Sequence, residues 1–219
     1  MSEIPAHEYE ISKEESDERG RRNEVFGAEF KNWAKRNSWR FKGEFAFREL
    51  DGWFVSASAA IWIGRRRTAV EFHCKPMALD PLFWAIVDAE QNSKLPLSFR
   101  CTGGWTCSTP PYAEYNLEGK HSDPKLLASD TANWLESQTA QSASWSVDHF
   151  LKSVQKHQKG PHHRATIITT HLLLDDFLTA ESICKDAIAR GDACGYGIGG
   201  ENFPHLALKW LSRHRKTFC

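Results

Sequence analysis

Hydrophobic residues change their period along this chain, and those changes limit the folds open to it. Between Phe45 and Phe72 they recur at every second position, the repeat of a strand with one covered face. From Asp123 to Leu211 they recur at three- and four-residue steps, the repeat of amphipathic helices. In the first stretch Phe45 and Phe47 alternate, Asp51-Gly52 is a hairpin signal, and Val55, Ala57, Ala59, Ile61 and Ile63 keep one side apolar. Gly64 and the charged turn Arg65, Arg66, Arg67 precede a further alternation at Val70 and Phe72. The pattern predicts three antiparallel strands in a meander.

Helical spacing flanks these strands. Phe26, Phe30 and Trp33 mark a first amphipathic helix after an acidic, flexible tail at residues 1–16. In KPMALDPLFWAIVDAEQN, Asp80 is placed as an N-cap with Pro81 at the first helical position, and Leu79, Phe83, Ile86 and Val87 form the buried stripe. A strand is expected over 95–101, with Leu97, Phe99 and Cys101 on one side, and a short one near 112–117. Five helices follow, carried by Leu127, Trp134 and Leu135, by Val147, Phe150, Leu151 and Val154, by residues 165–177, by Ala180 to Ile188, and by Phe203 to Leu211. The expected fold class is α+β, an antiparallel β-meander sheet with packed helices plus a C-terminal α-helical layer. The 17–120 part contains the sheet and 121–219 packs on it. With 219 residues and no flexible low-complexity linker, the two parts form one compact unit.

Lys plus Arg equals Asp plus Glu at 28 each, so no net field favours nucleic acid or an anionic membrane. No window approaches the roughly 18 consecutive apolar residues of a membrane span. The acidic start lacks the apolar stretch of a signal peptide, and the six cysteines contain no C-x-x-C pair. Reduced thiols and a cytoplasmic location, away from membranes, are the expectation.

GDACGYGIGGENFPHLALKWL, with five glycines, is the segment most like a phosphate-cradling loop. Such loops follow a strand and lead into a helix with Lys and Ser/Thr at fixed offsets. This one follows a helix and has no G-K-[ST], so it is expected to join two helices, with Gly191 capping the first. His157, His162 and His163 are the candidate metal ligands by residue type. They lack a matching second half at zinc spacing and sit in or beside the breaker KGPHHR, so they are expected to be solvated loop histidines. His171 has the spacing of a hydrogen-bonded interior histidine. His73 and Cys74 are adjacent on a strand and so point to opposite faces. The paired Asp175-Asp176 is expected at a solvated helix end. No catalytic motif and no cofactor signature is present. The basic and aromatic run KNWAKRNSWRFKGEFAFR has the composition of a single-stranded nucleic-acid groove, although most of its aromatics are already assigned to the core.

The run WRFKGEFAFRELDGWFVSASAAIWIG, followed by a strand, KPMALDPLFWAI and PLSFR, resembles bacterial proteins of uncharacterised domain families that include suspected polymorphic-toxin immunity proteins. The resemblance covers about residues 25–101, and FPHLALKWL is similar to a helix of such chains. It implies a non-catalytic protein that neutralises a toxin or effector by direct protein-protein contact. Nine Trp give this idea independent footing, because aromatic anchors are favoured at interface hot spots. Trp105 in its Gly-rich loop, Tyr112 after Pro110-Pro111, Trp62 on the other side of its strand, and Arg65, Arg66 and Arg67 are the candidate partner-binding residues. The alternatives are a hydrolase or transferase with a dispersed site, favoured by a deep pocket, and a single-stranded nucleic-acid-binding module.

Overall fold

The computed structural model describes residues 12–60, 69–102, 104–117, 123–157 and 160–214. Helix α1 (Lys13–Arg36) starts within the segment expected to be a tail, because Ser12 and Glu15 form a reciprocal capping box there. Its buried residues are Phe26, Phe30 and Ala34, the stripe that the spacing predicts plus one further position.

Five strands follow the chain in order across one antiparallel sheet: β1 (Arg40–Lys42), β2 (Phe45–Leu50), β3 (Trp53–Ala60), β4 (Ala69–Pro76) and β5 (Ala113–Asn116). The β2–β3 turn falls at Asp51 and Gly52, both at positive φ, as the sequence signal requires. β1 has only three residues, too few to show a period. Helix α2 (Leu79–Ile86) carries the expected stripe, with Leu79, Phe83, Ile86 and Val87 buried.

Two local expectations are corrected. Asp80 is not an N-cap: α2 begins two residues earlier than expected, Ala78 holds the cap position without a side-chain bond, and Asp80 is wholly buried in the first turn. The strand expected over 95–101 is replaced by turns and the short helix α3 (Phe99–Thr102). Phe99, Arg100 and Cys101 each donate a backbone N–H to the carbonyl three residues back, at 2.8 to 3.1 Å. Seven residues of alternation fit either form, and the tertiary contacts of Arg100 decide between them.

The helical layer consists of α4 (Pro124–Thr139), α5 (Val147–His157), α6 (Pro161–Leu173), α7 (Phe177–Ala189) and α8 (Phe203–His214). α5 packs on α6, α6 on α7 and α7 on α8, and α4 lies against α1, β4 and β5. α6 starts at Pro161, four residues earlier than the spacing indicates, since proline is tolerated at a first helical position. The glycine-rich segment does join two helices. It also folds into a small hairpin, β6 (Gly197–Ile198) with β7 (Glu201–Asn202), turned by Gly199 and Gly200 at positive φ. Among the described residues no helix is long and apolar enough to cross a membrane.

Register assigns the strand side chains to two faces. Val55, Ala57, Val70, Phe72 and Cys74 share one, which packs on α4 and α5 through ring contacts of Phe72 with Trp134 and of Trp53 with Trp145 and Phe150. Phe54, Ser56, His73 and Lys75 share the other.

Candidate functional site

The second face of the sheet is partly covered. Residues 100–102 and 104–109 lie over it as a roof, and the helical layer fastens that roof at two points. From α6 the Thr166 hydroxyl donates to the Ser108 carbonyl at 2.6 Å, and from the glycine-rich segment the Tyr196 hydroxyl donates to the Thr106 carbonyl at 2.7 Å. Between sheet and roof is a cavity of about 360 Å³. That volume lies at the small end of ligand sites.

Pairing of β3 with β4 sets the sheet wall. Ser56 is opposite His73 and Phe54 opposite Lys75, so all four side chains neighbour one another on the cavity side. At the floor Lys75 and Asp80 form a buried ion pair, 2.9 Å from Nζ to Oδ2. Asp80 Oδ1 also accepts from the Cys107 backbone N–H at 2.9 Å, and Oδ2 from Arg100 Nη1 at 2.9 Å. Lys75 Nζ donates further to the carbonyls of Arg100 and Cys107, each at 3.1 Å, so all three ammonium protons have acceptors. Arg100 is held twice more, by the Met77 carbonyl at 3.1 Å and by stacking over Trp84 at 5.3 Å. Two cations against one carboxylate leave one positive charge at the floor, and no Asp or Glu lines the cavity among the described residues.

The thiols of Cys101 and Cys107 and the phenol of Tyr196 keep their protons. Burial pushes the Cys101 thiol up to about 11 and the Cys107 thiol higher still. The Tyr196 phenol is raised by burial, with the nearby Cys107 and Asp80 adding to the shift. His73 has protein partners at both ring nitrogens, the Thr109 carbonyl at 3.2 Å and Glu71 Oε2 at 3.4 Å. These side chains can donate hydrogen bonds and supply charge. None of the thiols or the phenol is an ionised nucleophile near neutral pH.

Trp105 and Tyr112 are not brought together. Trp105 is half-buried beside Tyr196, with ring centroids 6.1 Å apart, and its carbonyl accepts from Trp84 Nε1 at 2.6 Å. Tyr112 is half-buried among Phe72, Trp145 and His149, on the helix-covered side of the sheet. Trp62, Arg65, Arg66 and Arg67 lie outside the described residues. His157 ends α5, and His162 and His163 fall in the first turn of α6 rather than in a loop. Among the described residues no group of three or more His, Cys, Asp or Glu is placed to hold a metal ion. His162 lines the cavity, its ring edge-on to Tyr196 at 5.0 Å, and a Cβ at Gly195 would overlap its imidazole. His171 is the interior histidine its spacing suggests, 3.0 Å from Asp176, which caps α7.

Lys75, Asp80, Arg100 and Ser56 carry no motif. The available signal is that Phe45, Phe47 and Phe54 fall on the same face as Ser56, His73 and Lys75. Aromatic rings on the nominally polar side of a meander indicate that this side is covered. Compared with models of protein families, with curated proteins and with solved structures, the chain matches none.

Proposed function

We propose that the protein is a non-catalytic, cytoplasmic binding protein and that the roofed cavity on the second face of its sheet takes a small-molecule ligand. The observation that carries this reading is the cavity's construction. Three distant parts of the chain, namely strands β3 and β4, the roof carrying Arg100 and residues 104–109, and the α6 and glycine-segment clamp, converge on one concave space with a buried charge cluster as its floor. Burying Lys75, Asp80 and Arg100 together is costly for folding alone, since well-packed apolar residues commonly serve a core as well or better. Binding rather than turnover is supported by the protonated thiols and by the full engagement of Lys75 and His73. The five described cysteines are free thiols, which fits a reducing compartment.

Neutralisation of a toxin or effector by protein-protein contact is the reading implied by the sequence resemblance, with Trp105 and Tyr112 at the contact. It has less support from geometry, because both rings are half-buried and engaged with other rings of the fold. Native mass spectrometry of the chain purified without denaturation separates the two. A stoichiometric small molecule, lost from a folded Ser56→Leu variant, is the expected result. A protein partner that survives Ser56→Leu and is lost with Trp105→Ala would overturn it.

A further inference from the structure

Ser56 is only 5% exposed and lines the cavity, yet its hydroxyl has no hydrogen-bond partner among the described residues. A hydroxyl that opens onto a cavity with its bonding capacity unused is available to an occupant. Arg100 is half-used in the same way. Its Nη1 is committed to Asp80 and Met77, while Nη2 and Nε have no partner among the described residues. A guanidinium anchored at one corner offers its remaining N–H groups in the fixed fork that suits a planar anion.

From these two groups and the single excess positive charge of the floor, we infer that the cavity binds a small organic carboxylate, with the carboxylate on Arg100 and Ser56 and the organic part against Phe45, Phe54 and Tyr196. The inference rests on the cavity being a ligand site. The charge balance favours a monoanion over a phosphate dianion: Lys75 and Arg100 exceed Asp80 by one, and all three Lys75 donors are already taken by protein acceptors. Three aromatic rings in the lining suit an apolar or aromatic body of modest size. No lining carboxylate among the described residues repels the anion.

The test is calorimetric titration of the dialysed full chain with phenylacetate, phenylacetamide, benzylamine and inorganic phosphate. Phenylacetate is expected to bind at least tenfold more tightly than its neutral amide. Ser56→Ala should weaken phenylacetate severalfold and leave phenylacetamide unchanged. Arg100→Gln, checked for folding by near-ultraviolet circular dichroism, should remove the preference for the acid. Equal or tighter binding of phenylacetamide or benzylamine would overturn the carboxylate assignment and leave the site standing. Tighter binding of phosphate would overturn it in favour of a phosphate group. If none of the four binds, both the assignment and the cavity as a ligand site fall.

Discussion

The two faces of the five-stranded sheet are both covered, but by different means. The face of Val55, Ala57, Val70 and Phe72 is sealed by α4 and α5 through apolar and ring contacts, and all four residues are wholly buried. The face of Ser56, His73 and Lys75 is bridged by a roof that leaves a cavity and holds ions at its floor. The first arrangement gains stability from area removed from water, about 25 cal/mol per Å². The second depends on complete pairing of charges in a low-dielectric setting, where the loss of one partner is costly. Stability and binding are thereby assigned to opposite sides of the same strands.

The largest effects test this division directly. Phe72→Ala on the apolar face and Asp80→Ala on the ionic one should each cost about 3 to 5 kcal/mol in urea denaturation, the first through a void and the second by leaving Lys75 and Arg100 without their anion. They should differ in rescue. Lys75→Met and Arg100→Met combined with Asp80→Leu should recover much of the loss, whereas no second change near Phe72 refills its volume so simply. Failure of this combination to recover it would show that the cluster also organises the roof.

Gly195→Ala comes next, at about 1 to 3 kcal/mol, because φ there is positive and the added methyl would meet the His162 ring. His162→Ala should relieve the steric part in a double-mutant cycle. An additive cycle would break the view that the glycine segment clamps the cavity through this histidine.

The thiols compare the faces by pH. Burial raises Cys74, on the apolar face, to about 12, and Cys101, at the cavity, to about 11. Both are protonated in the folded chain well above the roughly 8.5 at which unfolded thiols ionise. Unfolding then releases protons, so stability should fall as pH rises past about 9. Iodoacetamide with mass mapping should label half-buried Cys101 before Cys74. The reverse order would mean that the apolar face opens more readily than the roof.

The smallest stability change is expected for Ser56→Ala, within about 0.5 kcal/mol, because no hydrogen bond to a described residue is lost. A larger loss would mean that the hydroxyl serves the fold.

Legibility in the sequence follows the same division. The apolar face could be read because alternation at Val55, Ala57, Val70 and Phe72 has one physical cause, and the Asp51-Gly52 turn and the helical stripes from Leu127 to Leu211 are equally local signals. The ionic face could not. Asp80 has the composition and setting of a cap, and its pairing with Lys75 and Arg100 arises only when β4, α2 and α3 meet. Arg100 likewise draws residues 95–101 out of the strand that their alternation suggests. Trp105 and Tyr112 follow loop-like residues, yet side-chain packing half-buries both rings.

Lys75 has every ammonium proton engaged by Asp80 and two backbone carbonyls, so the shape and charge of the cavity floor are set by the protein itself. An incoming molecule has no ordering to impose there, and association carries little entropic penalty from the receptor. Encounter rates should therefore vary little from one ligand to another, and selectivity should appear as differences in residence time.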